Sequence, residues 1–323
     1  MVINSESSDR EQLEISYNEL TCHISWCNSY VYLGSIFTSD GKIVTALKGH
    51  ARDKHKHYMK FASFMQKNPD FPFPVKHKVM SSAFLSAILY GCEGWLTNNL
   101  SEINRLYLPA IKVLLGVRQT TSNEACLLEL GYPPLKYWVK DKQYKFFNAA
   151  VEQRANTNSD PLMFSIRLAT RSKTPMGQFI NELLQNQDYF RKGVEETQDS
   201  VSHSTRSKLI AYKSMNPSLG VHPVYTQVSR VIPDYQRLAF SRLRLISHSL
   251  RIETGRWARL PPEQRLCACG RIQSEQHVIQ DCVLTQGLRT SHPNMTFTFP
   301  EFFELNRNED ICKFVHLAIN TYM

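Results

Sequence analysis

The chain has 323 residues, enough for about two domains with buried cores, and its 42% hydrophobic and 21% charged content excludes an intrinsically disordered polymer. Eight cysteines are too few for a disulfide scaffold, and the longest uncharged apolar stretch, Val79 to Cys92, falls short of the roughly 20 residues of a membrane span. The formal net charge of +9 is unevenly placed, with +7 between Lys42 and Lys78 and +5 between Arg230 and Arg289.

Tyr30-Val-Tyr-Leu-Gly-Ser-Ile-Phe37 is rich in β-branched and aromatic residues and is followed by Ser39-Asp40-Gly41, which predicts a short strand or hairpin. From Lys42 to about Lys67 the period becomes helical. Ile43, Leu47, Ala51, Tyr58, Phe61, Ala62 and Met65 share one side, and Lys48, Arg52, Lys56, Lys60 and Lys67 the other. Asn68 to Pro74 reads as a helix stop and linker, and Val75 to Tyr90 as a more apolar helix closed by Gly91. Ser101 can cap a third helix that stops at Gly116, and Thr121 or Ser122 a short one ending at Gly131. Pro134 suits the first residue of a long helix through Arg154. Asn156 to Pro161 and the polar stretch Glu195 to Ser207 read as linkers, while Thr174 to Gln187 and Asp234 to Leu250 read as helices. The predicted fold is mainly α. Residues 1–41 carry the hairpin, 42–155 form a helical domain, 156–232 form a linker with connecting helices, and 233–323 carry an Arg-rich helix and a C-terminal tail.

Concentrated positive charge is an electrostatic footprint for a polyanion. Lys48, Arg52, Lys56 and Lys60 recur at i, i+4, where each like-charge pair costs a few tenths of a kcal/mol unless a phosphate backbone neutralises it. The Asp234 to Leu250 segment repeats the pattern, with Tyr235, Ala239, Leu243, Ile246 and Leu250 predicted as its apolar face and Arg237, Arg244 and His248 as its solvent face. Arg251, Arg256, Trp257 and Arg259 follow. Arginine beside an exposed aromatic suits phosphate and an unpaired base, and Trp257 serves equally as a core residue. His50, His55 and His57 read as further solvated cationic groups, and Cys22, Cys27, Cys92, Cys126 and Cys312 as plain buried thiols.

The sharpest motif is Cys267-Ala-Cys269-Gly270, His277, Cys282, that is C-x-C-x7-H-x4-C. Three thiolates and an imidazole suit tetrahedral zinc, and a set made wholly of protein groups favours a structural Zn2+ site over a catalytic one. Glu275, Asp281 or the backbone would orient His277, and Arg265 and Arg271 would offset the negative charge.

These residues resemble a known family. Tyr32-Leu-Gly34, Asp40-Gly41 and the basic helix are similar to the end of the palm and start of the thumb of LINE-type (non-LTR) retrotransposon reverse transcriptases. Leu89-Tyr-Gly-Cys-Glu-Gly-Trp95, Leu114-Leu-Gly116, Thr121-Ser122 and Glu129-Leu-Gly131 follow in the family's order. Leu250-Arg-Ile-Glu-Thr-Gly-Arg256, the Cys/His motif and Leu288-Arg289 resemble its C-terminal CCHC knuckle. The resemblance spans roughly Tyr30 to Arg289 and makes residues 1–41 a palm remnant.

The family's polymerase uses an Asp-Asp palm turn upstream of the Tyr-Leu-Gly segment. This sequence contains no Asp-Asp pair, and about 30 residues precede Tyr32. The resemblance therefore implies a non-catalytic portion with no Mg2+ site and no endonuclease. It would bind template–primer duplex, element RNA or target DNA, alone or in trans with a complete reverse transcriptase. The expected setting is the nucleus or cytoplasm, with no membrane and no secretion. The alternatives are a helical protein-interaction scaffold with a structural zinc site, and a truncated gene product of a complete reverse transcriptase.

Overall fold

A computed structural model describes residues 13–17, 20–152, 161–185, 188–226 and 232–322. The fold is mainly α, as expected, with two antiparallel hairpins ahead of the helices. In the first, β1 (Leu13–Tyr17) pairs with β2 (Leu20–Ile24); in the second, β3 (Ser29–Tyr32) pairs with β4 (Ser35–Thr38). The second turns at Leu33 (φ 45°) and Gly34 (φ 80°), both in the left-handed region that a tight two-residue hairpin turn requires. Asp40 then accepts hydrogen bonds from Thr38 Oγ1 (2.6 Å), Lys42 N (3.0 Å) and Thr45 Oγ1 (2.8 Å). These bonds, that from Thr38 foremost, hold its carboxyl down at about 2 and tie the hairpin to the first turn of the Ile43–Lys67 helix. No helix among the described residues is long and apolar enough to cross a membrane.

The chain divides into two compact units that alternate along the sequence. The first comprises Met1–Met59, Phe84–Tyr107 and Leu135–Tyr189; the second comprises Lys60–Ala83, Leu108–Pro134 and Phe190–Met323. The expected boundaries do not coincide with this division, because segment 42–155 contributes to both. Its parts 60–83 and 108–134 are held by side chains far along the chain, as described below.

In the first unit, helices Leu135–Glu152, Pro161–Thr170 and Pro175–Leu184 close a core of Tyr137, Phe147, Ala150, Ile166, Ile180 and Leu183. Gln143 donates to the carbonyls of Cys92 (3.1 Å) and Trp95 (2.9 Å), which fixes the Tyr90 to Trp95 segment on that helix. Tyr90 in turn donates to Leu33 O (2.8 Å), so two of the segments that carry the family resemblance meet at the hairpin turn. His50 is not a solvated cation: it is buried, with Nε2 2.9 Å from Ile88 O and its ring edge-on to Trp95.

The predicted helix at Val75 to Tyr90 begins earlier, at Phe73 after Pro72, and its Met80–Leu85 section is a π-helix. The hydroxyls of Ser81 (3.2 Å) and Ser82 (2.6 Å) both bond Lys78 O, competing for a carbonyl of the regular ladder. Ser122 caps the Asn123–Leu130 helix as predicted, and Gly116 and Gly131 end theirs at positive φ. Glu195 to Ser207 is a correction, since most of it belongs to the Tyr189–Ser202 helix. That helix buries Tyr189, Gly193, Thr197 and Val201 on one stripe at i, i+4, a pattern masked by the polar residues between. Residues 156–160 of the other expected linker lie outside the described residues. Cys22 is exposed and Cys27 half-buried, while Cys92, Cys126 and Cys312 are buried and pushed up to about 12 by that burial.

The largest correction concerns the second unit. The helix starting at Asp234 ends at Arg244, not Leu250, and the predicted division of faces fails in part: Leu243, Ile246 and Leu250 are buried as expected, but Tyr235 is 56% exposed, while Arg237 and Arg244 are 1% exposed and His248 is buried. Phe240 and Ser241 share the buried side, and Phe240 packs against His222, Tyr225 and Phe303. Each buried arginine has a carboxylate waiting. Arg244 grips Glu129 with Nε (2.7 Å) and Nη2 (3.1 Å) and donates Nη1 to Met215 O (2.8 Å). Arg237 lies 2.7 Å from Asp234, which also holds the buried Lys76 at 2.5 Å. The helix terminates through paired bonds from Ile246 N to Leu243 O (3.1 Å) and Ser247 N to Arg242 O (2.8 Å). That motif places β-branched Ile246 at φ 52°, a conformation no periodicity announces.

Glu129→Gln should cost about 3–5 kcal/mol in urea unfolding, because it leaves the Arg244 cation buried without its charge partner. Replacing both residues with methionine should recover part of that loss. His222 gives a pH signature. Its Nε2 donates to Phe303 O (2.6 Å) and its Nδ1 accepts from Val224 N (3.1 Å), so the neutral ring has no room for a second proton. Burial, aided by the Arg244 cation, pulls it down to about 4. The unfolded chain takes up that proton first, so this stability is complete above pH 6.5 and is lost as pH falls toward 4. The loss is on the order of 3 kcal/mol in denaturant titrations and is flattened in His222→Asn.

Candidate metal centre

The Cys/His motif is built on a short reversal of the chain. Leu266 and Ile272 form an antiparallel bridge, Cys267 N donates to Arg271 O (2.7 Å), and Gln273 N donates to Arg265 O (2.8 Å). Gly270, at φ 86°, closes the turn with its N–H on Cys267 O (2.9 Å), which brings Cys267 and Cys269 to one side. His277 opens a π-helical turn, His277–Asp281, with its backbone N–H capped by Ser274 Oγ (3.1 Å). Cys282 N closes that turn on His277 O (2.8 Å) and delivers the last thiol.

The four ligand atoms lie within 4.8 Å of one another. Cys282 Sγ stands 3.7 Å from Cys267 Sγ and 3.8 Å from Cys269 Sγ, and His277 Nε2 is 3.2 Å from Cys269 Sγ. Thiolates bound tetrahedrally at about 2.3 Å from one ion are separated by about 3.8 Å, so the sulfur spacing fits a metal and is too long for a disulfide. The cluster can hold a metal ion. Burial pushes the Cys267 thiol up to about 11 and keeps His277 below its usual value, so an ion here displaces thiol protons and meets a neutral imidazole.

The surroundings differ from expectation. Glu275 does not orient His277; it accepts from His248 Nε2 at 2.7 Å. Arg265 spends its guanidinium on the carbonyls of Leu260 and Ile252, and its stem lies against Gly255, where a Cβ would come within 2.6 Å. Arg289 clamps the ligand loop through Cys282 O (2.6 Å) and Thr285 Oγ1 (2.8 Å). With Arg251 N on Gln273 Oε1 (2.7 Å), these bonds dock the turn on the Arg251–Trp257 helix within the second unit.

The basic candidates separate into two groups. Lys48, Arg52, Lys56 and Lys60 are exposed on one side of the Ile43–Lys67 helix, although Asp53 reaches Lys56 (2.7 Å) and Lys54 (3.1 Å). Arg237, Arg244 and His248 are removed from any interface by burial. Arg251 and Arg259 are exposed, and Arg256 pairs with Glu253 (3.4 Å) and Ser207 (3.0 Å). Trp257 is 60% exposed with the Arg118 guanidinium 4.1 Å from its ring, which excludes the core reading. Arg118 went unnoticed in the sequence, where nothing in its spacing links it to Trp257. Comparison with protein-family models, curated proteins and solved structures finds no match.

Titration with Co2+ should give one tetrahedral, thiolate-bound ion per chain by its visible absorption. Cys282→Ser should weaken that binding by at least about ten-fold and Cys312→Ser should leave it unchanged.

Proposed function

We propose that this chain binds the phosphate backbone of nucleic acid and carries structural zinc at Cys267, Cys269, His277 and Cys282. The observation that carries this reading is the Lys48, Arg52, Lys56, Lys60 stripe. Four cations lie one helical turn apart on an exposed face, with a carboxylate on one of them only. Such a row is self-repelling in water and relieved by an anionic backbone that releases its counterions on binding. Recognition is then of charge and shape, with little sequence preference. Arg251, Arg259 and the Arg118–Trp257 stack supply a second basic surface in the second unit.

The order of motifs from Tyr32 to Arg289 supports placing this activity in the thumb and CCHC portion of a LINE-type reverse transcriptase, acting without the polymerase carboxylates. Structural zinc is favoured by the donor set, three thiolates and an imidazole with no position left for substrate. A second reading, a protein-interaction scaffold, draws support from exposed apolar side chains on the β3–β4 hairpin, among them Tyr30, Val31, Tyr32 and Leu33.

Binding of the zinc-loaded protein to a short RNA–DNA hybrid, titrated with salt, separates the two. Backbone binding through the stripe gives a log–log slope of roughly −3 to −4, and the fourfold Lys/Arg→Gln variant flattens it. Undetectable binding at low salt, or a variant indistinguishable from the parent, gives the scaffold reading the lead.

A further inference from the structure

The second unit contains an open pocket of about 520 Å3 that neither the metal cluster nor the basic stripe uses. It lies along the Asp234–Arg244 and Asn308–Asn320 helices, with Val117, Leu238 and Ile319 among its apolar lining. Tyr235 and His316 line it together, their rings edge to face at 4.8 Å. Its volume falls within the about 300–1,000 Å3 usual for small-ligand sites. The approach that shapes it depends on Gly116, at φ 67°, where a Cβ would come within 2.1 Å of Leu238.

Two guanidinium groups line the same space. Arg242 is fixed by one bond from Nε to Gly116 O (2.8 Å) and has no ion-pair partner among the described residues. Arg118 donates Nη2 to His248 O (2.8 Å), while its buried Nη1 makes no hydrogen bond and has a carboxylate, that of Glu253, only at 3.8 Å. Arg237 and Arg244, on the same helix as Arg242, show how this fold treats a cation it means to neutralise: each receives a buried carboxylate. Arg242 is held in place but left with donor capacity, and Arg118 adds a fixed positive charge to the pocket wall.

We propose that this pocket binds one unpaired nucleotide, the base packing against Tyr235 and His316 over the apolar lining and the phosphate meeting Arg242 and Arg118. Each feature selects part of that ligand. The flat aromatic and aliphatic surface takes a planar heterocycle, and the free Arg242 fork beside the Arg118 charge takes a phosphate better than a neutral group. The inference goes beyond backbone binding and stands on residues outside the Lys48 to Lys60 stripe, sharing only Arg118 with the second basic surface, so pocket and stripe can each hold without the other.

The test is calorimetric titration of the full zinc-loaded chain with adenosine 5′-monophosphate, with ribose 5-phosphate as the base-free probe. Saturable binding of the nucleotide is expected, with ribose 5-phosphate weaker by roughly ten-fold or more, the worth of one stacked base. Tyr235→Ala should weaken nucleotide binding by a similar factor, Tyr235→Phe should retain it, and Arg242→Gln should weaken both probes. The fourfold stripe variant should bind the nucleotide as the parent does. No saturable binding, equal binding of the two probes, or an unaffected Tyr235→Ala that keeps its helical circular dichroism overturns the pocket assignment. The hybrid titration separately decides the stripe.

Discussion

The second unit depends on charge that has been taken out of water. Glu129 is wholly buried, accepts two bonds from Arg244 and one from Tyr212 (3.0 Å), and Tyr212 accepts from Asn216 (2.8 Å). Desolvating two ions costs several kcal/mol each, and attraction offsets this only where the remaining donors and acceptors are also satisfied. Here they are, by Met215 O and by the phenol. The arrangement admits one rotation of the Asp234–Arg244 helix: turning it by a single residue would strand a carboxylate and a guanidinium together. Asp234, shared by Lys76 and Arg237, imposes the same condition a few residues earlier.

That rotation decides the outer surface as well. With Arg237 and Arg244 inward, Tyr235 and Arg242 must face outward, which is how an aromatic ring and an unpaired cation come to share a pocket with Arg118. The basic composition of residues 230–289 therefore overstates the charge the molecule presents. Arg237 and Arg244 are internal, serving Asp234 and Glu129, and Arg265 is half-buried against the carbonyls beneath the metal turn. The Ile43–Lys67 helix is the opposite case, where composition and surface agree.

Legibility in the sequence follows the range of the interactions. Ser122, Gly116 and Gly131 are set by neighbours within a few positions, and their caps were readable, as was a strand or hairpin over Tyr30 to Phe37, although its turn falls at Leu33-Gly34 and not at Ser39 to Gly41. So were the metal ligands, because their spacing is itself the signal. The burial of Arg237, Arg244 and His248 was not readable, since an apolar stripe of Tyr235, Ala239, Leu243 and Ile246 leaves them on the opposite face. The buried side widens to take in Arg237, Phe240 and Arg244 through Asp234 on the same helix and Glu129 far back in the chain. One hint existed in Glu129, an acid inside the otherwise apolar run Ala125 to Leu130. The Tyr189–Ser202 helix was hidden for a related reason: Gly193 and Thr197 occupy its buried stripe, and neither counts as hydrophobic.

The alternation of the two units along the chain bears on the order in which a ribosome could deliver a folded product. The first unit lacks its closing helices until about residue 184 has emerged. Glu129 emerges early and waits for a counter-ion 115 residues downstream, so its helix is synthesised with an acid on the face it must bury. Sequence separations of this size slow folding by making loop closure precede its reward. The ion pair that locks the second unit thus makes an early helix depend on an arginine added 115 residues later, a closure that is rewarded only once that part of the chain exists.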